Sequence, residues 1–275
     1  GRFLDILDEL REKSIRLIID TAIKSFADGF ELRHNSEVDD PNGTINSKKN
    51  NCFISVLGDE FIFYSAFVRS FDSSFGNLLE NIGNQIAKFS YKTDRIIHSY
   101  ILTEQTQHIS NLLDKYEDHA CKPNKSHYES FFVVQPKDTT SFKTQHVCDN
   151  WFYDENTKTH YLVELKAGGD LDNKKAKSEK LALLKEYFML KNITPSDQKI
   201  LIYFATAYNK FGESNSWHQA NVERFFSQDE LLIGKDYWNF VCNDENGFDI
   251  VFEQYKISSH YIKDSLLRIR NKYGC

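Results

Sequence analysis

Cys148-Asp149-Asn150-Trp151-Phe152-Tyr153-Asp154-Glu155-Asn156, then Tyr161-Leu162-Val163-Glu164-Leu165-Lys166 after a four-residue gap, is the stretch on which the fold turns. Two apolar runs are separated by Asp154-Glu155-Asn156, which is turn chemistry, so the segment predicts a hairpin. Side chains alternate faces along a strand, which puts Glu164 and Lys166 on the same side. The hairpin returns Asp149 beside them. Two carboxylates and an ammonium meeting at a strand end suit the binding of a divalent cation and the handling of a water's proton, as metal-dependent phosphodiester hydrolysis requires. The competing reading is a polar strand edge with a surface ion pair of little consequence. An acid two residues before a lysine also occurs at Asp172/Lys174 and Asp197/Lys199. Only the pair at Glu164 sits in a β-patterned run with an acid across the hairpin.

The following residues point the same way. Ala167-Gly168-Gly169-Asp170-Leu171-Asp172-Asn173 ends the strand, permits close backbone approach and offers Asp172 or Asn173 as a helix N-cap. Lys174, Lys175, Lys177 and Lys180 then crowd the first turns of a helix predicted to reach about residue 191. Cations there oppose the helix dipole, so local helix stability does not explain them, whereas a nearby polyanion would. Lys174, Lys175 and Lys177 are therefore candidate phosphate contacts. Tyr208, Asn209 and Lys210 follow the next predicted strand (199–206) and are candidates for contact with phosphates or base edges.

Asp149 followed by Glu164-Leu165-Lys166 resembles the signature of the PD-(D/E)XK nucleases, with Cys148 in place of the proline. Four blocks resemble restriction endonucleases of the TdeIII type: ELKAGGDLDNKKAKSEK from Glu164, ATAYNKFGE from Ala205, LLIGKDYWNF from Leu231, and RSFDSSFGNLLE from Arg69. The resemblance covers about residues 69–255, with the blocks in the expected order. The resemblance implies a restriction-endonuclease-like core and cleavage of double-stranded DNA at a specific site, leaving 5′-phosphate and 3′-hydroxyl ends. It implies Mg²⁺ held by Asp149, Glu164 and the backbone carbonyl of Leu165, with Lys166 acting on the attacking water or the developing charge. Glu80, in the upstream helix block, is a candidate further acid, and Arg69, Ser73 and Ser74 are candidates to face DNA. A palindromic target, for which the resemblance suggests a short GC-rich site such as GGNCC, implies a homodimer. A repair or junction-resolving nuclease of the same fold, and a non-enzymatic α/β interaction module, are the alternatives.

The 275 residues are 40% hydrophobic and 27% charged, enough for a substantial core. No apolar run approaches the roughly 18 residues of a membrane span. Five scattered cysteines without a CxxC favour reduced thiols and a cytoplasmic protein. A net charge of −6 argues against indiscriminate nucleic-acid binding, so positive charge must be local. The pattern predicts helices over 3–26, 60–71, 75–89 and 102–116, and a polar surface loop over 33–51. Strand character is predicted at 131–134, 144–153, 159–166 and 199–206, and mainly helix from 215. The expected fold is a single α/β domain over 1–275, a mixed central sheet flanked by helices, with helical additions over about 1–130 and 215–275.

Overall fold

The computed structural model describes residues 2–138 and 143–272. In chain order the elements are α1 (Arg2–Asp39), the short α2 (Thr44–Ser47) and α3 (Cys52–Ser55), α4 (Asp59–Ala87), β1 (Lys92–Ser99), α5 (Thr103–Glu117), α6 (Ser126–Glu129), β2 (Thr144–Asp154), β3 (Thr159–Leu165), α7 (Asn173–Ile193), β4 (Lys199–Thr206), α8 (Ala220–Glu223), β5 (Leu231–Ile233), α9 (Lys235–Cys242), α10 (Gly247–Ser258) and α11 (His260–Lys272). They form two compact units, Gly1–Ile86 with Phe248–Cys275, and Ala87–Gly247.

In the helical unit, Ile15, Ile19, Ile23, Ala27, Phe30 and His34 are all buried, a ladder of residues three and four apart on one face of α1. That ladder carries α1 to Asp39, past the predicted end near residue 26 and into the stretch expected as a loop. The two helices predicted over 60–71 and 75–89 are one. Phe67, Phe71 and Phe75 stack in succession along α4, with ring centroids 6.4 and 5.4 Å apart. Phe30 of α1 packs edge-on against Phe67 and Phe71. Packing thus overrides the break suggested by Asp72-Ser73-Ser74. Ser265 of α11 donates to the Ala27 carbonyl at 3.0 Å, and Arg268 pairs with Glu31.

The second unit is built on a five-stranded sheet in the order β1-β2-β3-β4-β5. β1, β2 and β3 pair antiparallel, and β3, β4 and β5 parallel, giving the mixed sheet flanked by helices that the pattern predicted. α7 provides Ala176, Leu183, Leu184 and Phe188 to a core shared with Leu162 of β3 and Ile202 of β4. Tyr161 and Tyr203 alternate with those residues and meet Phe240 of α9 on the opposite face, at 4.9 and 6.0 Å. β1 was not anticipated, because only Ile97 and Ser99 of its eight residues are buried. The strand predicted at 131–134 does not form. Phe132 and Val134 are largely exposed, and β-branched and aromatic residues without a partner strand stay irregular.

Candidate active site

The β2–β3 turn is closed by Asp154, whose carboxylate accepts from the Asn156 amide at 2.9 Å. Beyond it the strands pair Asp154 with Thr159 through to Trp151 with Leu162. Continued two residues further, that register sets Asp149 opposite Glu164, where cross-strand neighbours share a face. The Asn150 side chain holds this end together by donating to the Val163 carbonyl at 3.2 Å. On the other edge of β2 the register with β1 shifts between Asp94 and Ile96, leaving Cys148, Asp149 and Asn150 against Arg95. Irregularities of this kind turn side chains away from simple alternation. Cys148 is buried and Asp149 exposed.

Glu164 is buried, at 7% exposure, and its carboxyl lies within hydrogen-bonding reach of Asp149. Burial first, then Asp149 and Glu179, push its pKa up to about 9. Lys166 lies two residues on and continues the ladder through its amide, which donates to the Ala205 carbonyl at 2.9 Å. Its ammonium stands 3.0 Å from Glu164 Oε1 and 3.2 Å from Glu179 Oε1. Burial works against that charge, but Glu164 and then Glu179 outweigh it and raise the pKa to about 12. The Lys166 side chain keeps 36% of its surface open, so solvent reaches the end of the strand.

The chain turns away through Gly168 and Gly169. Gly169 has φ +74°, and a Cβ there would lie 2.6 Å from the Thr206 methyl, so backbone conformation and close approach both require glycine. Asp172 then caps α7 by accepting from the Lys175 amide at 2.8 Å. Two α7 residues that sequence reading missed, Glu179 and Glu186, lie seven apart on one helical face. Burial, then Asp149 and Glu179, raise the Glu186 pKa to about 8, and its carboxyl meets His146 Nε2 at 3.2 Å. Their signal in the sequence was this spacing, set beside the apolar face through Ala176, Leu183 and Leu184.

Two carboxyl groups, Glu164 and Glu179, thus flank one ammonium, with Asp149 beside Glu164 and Glu186 beside His146, whose imidazole burial and Lys185 hold below its usual range. Among the described residues no three His, Cys, Asp or Glu side chains are arranged as a metal-ligand set. The Asp149–Glu164 pair is nevertheless a donor set suited to Mg²⁺, which commonly takes one or two carboxylates and leaves its other positions to backbone oxygen, water and phosphate. The closeness of acids that, after burial, helps to raise these pKa values is what a divalent cation would offset.

The other predicted residues fall into several groups. Lys174 and Lys175 are exposed at the start of α7. Lys177, assigned to phosphate from its sequence position, has two carboxylate partners on α5, Asp114 at 3.2 Å and Glu117. Lys180 is fully buried against Glu230, so tertiary contacts account for two of the four lysines. Tyr208 is exposed, and Lys210 lies 3.4 Å from Asp170. Asn209 is engaged in its own loop: its amide nitrogen donates to the Asn215 carbonyl and its oxygen accepts from the Phe211 amide. Glu80 sits half-buried on α4 of the helical unit. In that unit Arg69 and Ser73 are exposed, and Ser74 accepts from Arg33 at 2.7 Å. No helix of the described residues is long and apolar enough to cross a membrane.

No curated protein matches the chain. A family model described as the type II restriction endonuclease HinfI matches residues 11–259. The sequence blocks suggested enzymes of the TdeIII type, and the match supports that reading at the level of type II restriction endonucleases. The matched span takes in the whole sheet unit with its carboxylate–lysine cluster, and the chain belongs to the HinfI family of type II restriction endonucleases.

Proposed function

We propose that the chain is a Mg²⁺-dependent endonuclease of a cytoplasmic restriction system, cutting double-stranded DNA at a specific site and leaving 5′-phosphate and 3′-hydroxyl ends. The observation that carries this is the Lys166 ammonium, 3.0 Å from a Glu164 carboxyl that is itself within reach of Asp149. This is the acid–acid–lysine grouping of the PD-(D/E)XK nucleases that the sequence resembles. Asp149 and Glu164 would hold the ion with the carbonyl of Leu165. When bound there, Mg²⁺ supplies Lewis-acid polarisation of the scissile phosphate. Lys166 orients the attacking water and offsets the charge that builds on the phosphoryl oxygens. Glu80 is a further candidate acid.

Lys174 and Lys175 contact phosphates from the start of α7, with Tyr208 and Lys210 on the loop after β4 and Arg69 and Ser73 on α4. Phosphate contacts position the enzyme without reading sequence. A two-fold symmetric target calls for a homodimer.

Supercoiled plasmid incubated with Mg²⁺ should be cut at recurring positions, and sequencing the fragment ends reads both target and end chemistry. Lys166→Ala should abolish cleavage. Plasmid left intact by the wild type under Mg²⁺ or Mn²⁺, or cut equally well by the variant, refutes the reading.

A further inference from the structure

Lys166 bridges two carboxylates that differ in what else they contact. Glu164 is the more buried, with 9% of its side chain exposed, and has Asp149 as a neighbour. Glu179 has 21% exposed, and Lys166 is its one ion-pair partner among the described residues. A cation drawn to Asp149 and Glu164 competes with the ammonium for the Glu164 oxygens. Lysine is a flexible four-carbon stem, so the ammonium, if the cation takes Glu164 and no second carboxylate holds it, would swing away from the strand end.

α7 holds the second partner rigidly. Asp172 caps its first turn. The residue after Glu179, Lys180, donates to both oxygens of Glu230 at 2.8 and 2.7 Å, and Tyr128 donates to the same carboxylate at 2.6 Å. Lys180 also lies 4.6 Å from the centroid of the Phe226 ring. These contacts, with Ala176 and Leu183 in the core, fix the rotation of the helix and with it the direction of Glu179.

We propose that Glu179 is a positioning residue for the reaction: it anchors the Lys166 ammonium at the strand end while the cation occupies Asp149 and Glu164. This role rests on the nuclease reading above. Glu179 acts through Lys166 and does not join the metal donors, which separates it in kind from Glu164.

The test compares wild type, Glu179→Gln, Glu179→Ala and Glu164→Gln on one plasmid substrate across a Mg²⁺ titration. Folded fraction is checked by thermal melting, and Lys166 reactivity by reductive methylation read by mass spectrometry in metal-free protein. The expected result for Glu179→Ala is a turnover loss of about 100-fold, the scale of a reacting group misplaced by an ångström. KM and the Mg²⁺ midpoint should stay unchanged and methylation of Lys166 should accelerate. Glu179→Gln, which keeps an acceptor oxygen at the same reach, should recover part of the turnover, and Glu164→Gln should lose activity by shifting the metal requirement. A Glu179→Ala defect cured by higher Mg²⁺ overturns the proposal by making Glu179 a metal ligand. Unchanged turnover and methylation in a folded variant also overturn it. A wild type inert toward every plasmid removes the nuclease reading, and this role with it, even if methylation accelerates.

Discussion

Two lysines on neighbouring elements of the sheet unit are in opposite situations. Lys180 and Glu230 are both wholly buried, and every oxygen of the carboxylate is engaged by Lys180, Tyr128 or the Ser227 turn. Lys166 shares the 9%-exposed Glu164 and the 21%-exposed Glu179, and the acids around it outnumber it. The first cluster is closed and balanced, so it holds α7 in place. The second is open to solvent and electrostatically incomplete, so it can take up a cation and an anionic substrate. Saturation and access, rather than the presence of an ion pair, separate the structural pair from the proposed active site.

The largest expected effect falls on the open cluster. Lys166→Ala should drop plasmid cleavage below detection with little change in melting temperature, because the lysine is only partly buried. If the variant instead loses its fold, the open cluster is structural after all.

Next is the sealed pair. Lys180→Ala leaves Glu230 buried without its cation, a change that typically costs about 3–5 kcal/mol. Denaturant unfolding should show it. The double variant Lys180→Met with Glu230→Leu should regain part of that stability, since apolar residues of similar volume often replace a buried pair, less what Tyr128 and the Ser227 turn lose with their acceptor. A single variant as stable as wild type would remove the contrast between the two lysines.

A smaller effect concerns pH. Glu186 has its pKa raised from 4.5 to about 8 by burial, Asp149 and Glu179, so its stabilising contribution is complete below about pH 4.5 and is lost as pH rises through about 8. Metal-free protein should melt at progressively lower temperature across that window, and Glu186→Gln should flatten the slope. His146, whose value is lowered by burial, acts oppositely and costs stability as pH falls below its usual 6.5. Parallel melting curves for wild type and Glu186→Gln would show that Glu186 does not feel the acids of the cluster.

The smallest effect belongs to Lys177. Its pair with Asp114 and Glu117 is partly solvated, so Lys177→Ala should melt within about 2 °C of wild type. Filter binding to duplex DNA across a salt series should give the same slope for Lys177→Ala, and a shallower one for Lys174→Ala with Lys175→Ala. A slope change from Lys177 alone would restore it to the phosphate contacts.

The hairpin, the Glu164–Lys166 face and the capped helix after Gly169 were readable in advance because each rests on local rules. These are a period of two, turn residues and an Asp that bonds an amide three residues on. The strand expected at Phe131 misled because propensity needs a partner, and β1 escaped notice because pairing with β2 supplies what its polar sequence lacks. The four lysines in the first turns of α7 are alike in sequence. The helix face each occupies sends Lys174 and Lys175 to solvent, Lys177 to α5 and Lys180 into the core.

The chain by itself determined that an acid, a second acid and a lysine would meet at one strand end, since alternation and a tight turn leave them little choice. Only the tertiary structure decided that α7 would bring Glu179 to that lysine and Glu186 to His146. Those contacts span elements whose approach is set by core packing around Leu162, Leu183 and Ile202 and by the Lys180–Glu230 pair, and no local periodicity encodes the distance between two packed surfaces.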